Sequence, residues 1–161
     1  MKMLNSFVWG IIAAAASLFS ELVLFSILTI NQILEDTRRI SVIQSETIIL
    51  PIILEEIFKI VALRQNSSIS ENKRETIAKA FSIGIGFSFF EIIIIYMKFA
   101  GKTVNHLPEI FGIAVIHTVT AILSASILSL LSQKRKIGLI LALLLSTIVH
   151  LLYNLMVIGL T

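Results

Sequence analysis

The stretch Thr47–Leu63, TIILPIILEEIFKIVAL, decides how the chain is read. Its flanks are apolar enough for a membrane-spanning helix, yet its centre carries two adjacent glutamates, Glu55 and Glu56, with Lys59 one turn later. An ionisable side chain near the middle of a bilayer costs roughly 2.5–3.5 kcal/mol on insertion scales, so such a pair needs a partner, a water-filled cavity or a function. Function is the default expectation for residues so placed.

The composition agrees with a membrane setting. Hydrophobic residues make up 57% of the 161 and charged residues 14%, where a soluble domain carries about 25% charge. Mean hydropathy is +0.97. The length suits a single transmembrane domain over residues 1–161 and leaves no room for an added soluble catalytic domain. A net charge of +3 and a pI near 9.4 come from lysines and arginines scattered over short connectors, which form no nucleic-acid patch. The absence of cysteine excludes disulfides, thiolate metal sites and a cysteine nucleophile.

Outward from Glu55 and Glu56, the hydropathy divides the chain into about five spans, residues 4–30, 47–63, 80–97, 109–131 and 137–160. The first is too long for the apolar core of a signal peptide and is expected to stay as a span. The connector before the third span, with Asn66, Ser67, Ser68 and Ser70 ahead of Glu71 and Glu75, predicts a loop and a capped helix start. Pro108 suits the first turn of the fourth span. The predicted fold is all-α, a polytopic transmembrane helical bundle in a cell membrane.

Five spans put Lys2, Arg64, Lys73, Arg74, Lys79, Lys134, Arg135 and Lys136 on one side and Arg38, Arg39, Lys98 and Lys102 on the other. The positive-inside rule then places the N-terminus in the cytoplasm. At about 1.5 Å of rise per residue from each outer end, Glu55 and His117 lie roughly 12 Å deep, Glu91 and Asn154 roughly 9 Å, and His150 roughly 15 Å. Polar groups from four helices share one level, which argues for one site. His106 falls in a connector and reads as solvated.

Helical spacing aims these groups inward. Gly84, Ser88 and Glu91 share a face of the third span, and Ala80, Gly84 and Ser88 form a small-residue ladder suited to close helix contact. His117, Thr120, Ala121 and Ser124 share a face of the fourth span, and Thr147, His150 and Asn154 one of the fifth. Lys59 is in register to pair with Glu55 or Glu56, which point about 100° apart, so one glutamate is expected to face the reaction centre and the other to be paired. Glu21, on a face with Ser17, reads as packing or lumen lining, and Trp9 as an interface anchor.

A carboxylate in a low-dielectric pocket is a competent general base for water. His117 and His150 could orient that water or shuttle a proton, and the amide of Asn154 could donate to a developing oxyanion. A metal reading uses Glu55, Glu91, His117 and His150 as zinc ligands with an open position. Other intramembrane hydrolase chemistries lack their residues. There is no H-E-x-x-H, Gly86-Phe87-Ser88 is followed by Phe89 and not glycine, and Asp36 is the lone aspartate.

Glu55-Glu56-Ile57-Phe58-Lys59, Gly84-Ile85-Gly86-Phe87-Ser88-Phe89-Phe90-Glu91, His117 with Thr120, and His150-Leu151-Leu152-Tyr153-Asn154 resemble the ordered motifs of the PrsW family. That family belongs to a superfamily of glutamic intramembrane proteases with the type II CAAX prenyl endopeptidases and the scaffold subunit of gamma-secretase. Ile60 and Ile113 stand where the CAAX branch has arginine and phenylalanine, and Ile92 stands where an asparagine is expected after Glu91. The resemblance implies endoproteolysis of a membrane-protein or peptide substrate. In it the first glutamate activates water, His117 and His150 lie nearby, Asn154 is in the oxyanion region, and Glu91 and Lys59 support them. It implies no required metal, with zinc as the alternative. A noncatalytic scaffold for a partner helix and a proton- or ion-coupled transporter are the competing expectations; the absence of paired inverted repeats tells against the transporter.

Overall fold

The computed structural model describes residues 2–34, 40–66, 72–98 and 107–158, with side chains described for 2–27, 49–66, 72–98, 108 and 110–157. Arg38, Arg39, Ser67, Ser68, Ser70, Glu71, Lys102 and His106 lie outside the described residues. Within them are five α-helices and no strand: α1 (Lys2–Leu34), α2 (Ile40–Asn66), α3 (Lys73–Lys98), α4 (Leu107–Leu130) and α5 (Arg135–Ile158). The all-α bundle is as expected from hydropathy.

The helices overrun the apolar stretches. α2 begins at Ile40 rather than Thr47, and α3 at Lys73 rather than Ala80. Hydropathy marks where side chains leave the apolar zone, whereas a helix continues while good helix formers such as Lys79, Glu75, Gln65 and Arg64 extend it. The start of α3 is capped by Asn72, whose Oδ1 accepts from the Arg74 amide at 3.3 Å and whose carbonyl accepts from the Glu75 amide at 2.9 Å. Pro108 sits in the first turn of α4, and α2 passes through Pro51.

Among the described residues, four helices are long and apolar enough to cross a membrane, over Lys2–Ile27, Lys73–Lys98, Ile110–Leu130 and Arg135–Val157. α2 is the exception by composition, because Glu55, Glu56 and Lys59 fall in its apolar stretch. Its position explains how those charges are tolerated. α1, α3, α4 and α5 form an arc in that order, and α2 touches all four. Glu56 and Lys59 are fully buried among protein neighbours and not against lipid.

Small residues bring the helices together. A Cβ on Gly10 would stand 2.2 Å from the carbonyl oxygen of Ile83, and one on Gly86 would stand 2.1 Å from that of Phe7, so α1 and α3 meet backbone to backbone. The predicted ladder on α3 does the same against α4. Gly84 lies under Thr118, and the Ser88 hydroxyl donates to the Gly84 carbonyl at 2.8 Å and to that of Ile113 at 3.3 Å. Trp9 is half-buried and packs against a core of Ala13, Ala14, Ala62, Leu63, Ala80, Ile83, Phe87 and Ala125.

One end of the bundle is tied by polar contacts. Lys2 pairs with Glu75 at 2.8 Å, the Asn66 amide donates to Ser6 at 2.5 Å, and Lys79 donates to the Asn66 carbonyl at 2.8 Å. The start of α1, the end of α2 and the start of α3 are therefore neighbours, and antiparallel α3 and α4 bring the α4–α5 turn to the same end. All eight residues of the predicted basic side collect there.

Candidate active site

Glu55 and Glu56 occur on consecutive positions of α2, so their side chains diverge and meet different partners. Glu56 is fully buried; its Oε1 accepts from Lys59 Nζ at 2.5 Å and lies 2.8 Å from Nδ1 of His150 on α5. Lys59, also fully buried, donates further to Thr120 Oγ1 at 2.9 Å and reaches Nδ1 of His117 at 3.1 Å, both on α4. Nε2 of His117 hydrogen bonds Oε2 of Glu91 on α3. Three elements are thus tied to α2 through one lysine and one glutamate.

Glu55 is the unbound member of the pair. Its Oε2 is buried with no hydrogen-bond partner, 3.6 Å from Nδ1 of His150 and 4.0 Å from Nδ1 of His117. Its side chain is 18% exposed, against none for Glu56, so the cluster is approached from the Glu55 side. Glu91, at 35%, lies on the same accessible edge. The imidazoles of His117 and His150 meet edge to face with centroids 5.0 Å apart.

The sequence expectations fare unevenly. Glu55, Glu56, Lys59, Glu91, His117 and His150 are brought into one cluster, and the pairing of one glutamate with Lys59 falls on Glu56. Asn154 lies one turn beyond His150, half-buried, and hydrogen bonds none of these groups among the described residues. Thr120 joins the network, whereas the hydroxyls of Ser124 and Thr147 are buried without a partner.

Two further residues border the cluster. Phe87 packs its ring on His117 at 4.6 Å between centroids and lies 5.0 Å from Lys59 Nζ, closing the apolar side of the cluster. Its spacing of four residues from Glu91 placed it on that face. Glu21 accepts from the buried Ser17 hydroxyl at 3.0 Å. Ser17 and Glu55 each lie eleven residues along their helices from the Ser6–Asn66 hydrogen bond, so antiparallel α1 and α2 bring them to one level. Glu21 is close enough to Glu55 and Glu91 for the charges to interact, and all five helices serve the polar layer.

For a divalent metal, Glu55, His117 and His150 have the right donor types, with one ligand atom from each within 4.8 Å of the others. The hydrogen bonding does not suit one. The two imidazole nitrogens facing Glu55 are engaged, Nδ1 of His117 by Lys59 and Nδ1 of His150 by Glu56, and the lysine nitrogen stands 3.1 Å from a would-be ligand atom.

A helical bundle of long apolar helices with a Glu–Lys–His cluster buried between them defines a polytopic membrane protein with titratable groups gathered in its interior. The chain matches the family model described as PrsW family intramembrane metalloprotease over residues 2–160, and it belongs to that family. It is an intramembrane protease by that membership. No curated protein and no solved structure matches it.

Proposed function

We propose that the chain is an endopeptidase that hydrolyses peptide bonds of membrane-protein substrates with water activated by Glu55. The carrying observation is the buried, unpartnered Oε2 of Glu55, placed between two imidazoles and on the accessible side of the cluster. Glu55 takes a proton from water as the oxygen attacks the scissile carbonyl. The tetrahedral intermediate then collapses, and the proton is handed to the leaving amine. His150 supplies a relay for that proton, and the Asn154 amide, one turn away, supplies a donor to the oxyanion. Glu56 and Lys59 hold the histidines. No step is assigned to a metal, given how the imidazoles are engaged.

The gathering of eight basic residues at one end supports a cytoplasmic N-terminus in a cell membrane.

The test is cleavage of single-span membrane peptides by detergent-purified protein, compared with Glu55→Gln and Glu56→Gln and repeated with a chelator. Turnover lost in Glu55→Gln and unchanged by chelation is the expected result. Turnover retained in Glu55→Gln overturns the assignment of the base, and chelator-sensitive turnover restored by zinc overturns the metal-free mechanism.

A further inference from the structure

We infer that the two histidines hold opposite tautomers, with the ring hydrogen on Nε2 of His117 and on Nδ1 of His150, and that Lys59 is the positioning residue that meets His117 directly and His150 through Glu56. This rests on the proposed acid–base reading and says which imidazole nitrogen is available to it.

A lysine ammonium carries three hydrogens and no acceptor. Lys59 has three acceptors in reach: Glu56 Oε1 at 2.5 Å, Thr120 Oγ1 at 2.9 Å and His117 Nδ1 at 3.1 Å. Each hydrogen has one taker, the side chain is fully buried, and the Phe87 ring lies 5.0 Å from the nitrogen. Because the lysine can only donate, Nδ1 of His117 accepts and bears no hydrogen. The ring hydrogen of His117 therefore sits on Nε2, where Glu91 Oε2 accepts it. The contact with Glu91 agrees independently, since a carboxylate wants a donor there.

The second histidine follows from the same lysine. Glu56 Oε1 accepts from Lys59, so it is the acceptor toward Nδ1 of His150 at 2.8 Å as well, and that nitrogen carries the hydrogen. Nε2 of His150 is left with a bare lone pair and no hydrogen-bond partner among the described residues. The labour divides: His117 is held at both nitrogens, and His150 offers the free one for proton transfer. Lys59 also occupies the lone pair His117 would need to bind a metal through Nδ1.

The experiment is nitrogen-15 NMR of histidine-labelled protein in nanodiscs, assigned with His106→Gln, His117→Gln and His150→Gln, for the wild type and for the double variant Lys59→Met/Glu56→Gln. The double variant removes both charges, so neither is left buried alone. The wild type is expected to show a protonated Nε2 for His117 and a protonated Nδ1 for His150. In the double variant His150, without its carboxylate acceptor, should show both tautomers, while His117 keeps its hydrogen on Nε2 through Glu91 and its Nδ1 signal moves as the lysine's hydrogen bond is lost, with kcat down at least about tenfold and KM within about twofold. Like tautomers in the wild type, or unchanged signals from His117 Nδ1 and from His150 in a folded double variant, would overturn the inference. If the double variant does not fold, the wild-type spectrum decides alone. The spectra need no turnover, so failure of the protease reading would show only in the cleavage assay.

Discussion

Glu56 on α2 and His150 on α5, 94 residues apart in sequence, are joined by a 2.8 Å hydrogen bond between Oε1 and Nδ1. That bond, with the Lys59 ion pair, anchors the second glutamate, while Oε2 of the first has no hydrogen-bond partner. It also makes the cluster structural as well as chemical, which separates the expected effects of replacing its members.

Glu56→Ala should destabilise the fold by about 3–5 kcal/mol, because it strands a fully buried lysine. Lys59→Met strands Glu56 and should behave alike. Combining Glu56→Ala with Lys59→Met should cost less than the two single effects added, as expected for residues in contact. Thermal unfolding in detergent measures all of them, and strict additivity would contradict the buried pair.

Gly84→Ala and Gly86→Ala should each cost about 1–3 kcal/mol by overpacking, since their added carbons would stand 2.6 Å from Thr118 Cα and 2.1 Å from the Phe7 carbonyl oxygen. They should differ in activity. Gly84 lies on the α3–α4 contact that also aligns Glu91 with His117, whereas Gly86 faces α1. At equal stability Gly84→Ala should lose the larger share of turnover; the reverse order would detach Glu91 from the reaction.

Asn154→Ala should leave the unfolding temperature unchanged, because its amide hydrogen bonds none of the cluster among the described residues. An oxyanion donor lost at that position should lower kcat by about 10²–10³-fold. Near wild-type kcat would remove Asn154 from the mechanism and leave it a lining residue.

Glu21→Gln should reduce kcat/KM by less than about tenfold, against a loss of about 10²–10⁴ for the proposed base at Glu55. Glu21 reaches the site by charge from a neighbouring helix and keeps its Ser17 hydrogen bond as a glutamine. A loss equal to that of Glu55→Gln would promote it to a catalytic residue.

Much of this was legible in the chain itself. Hydropathy and the costly placement of Glu55 and Glu56 determined an all-α membrane bundle with a polar layer, because the bilayer penalises unsatisfied polar groups so steeply that their positions carry information. Helical periodicity put Gly84, Ser88, Glu91, His117 and His150 on inward faces, since a rise and turn per residue are set by the backbone alone. The pairing within the cluster was decided only by tertiary structure. Lys59 was in register with both glutamates along α2, and the choice of Glu56 coincides with partners on two other helices, His150 and Thr120. Phe87 and Glu21 join the site through the close approaches of α3 to α4 and α1 to α2. Local spacing states which way a side chain points; which group it meets depends on the crossing and depth of helices far away in sequence.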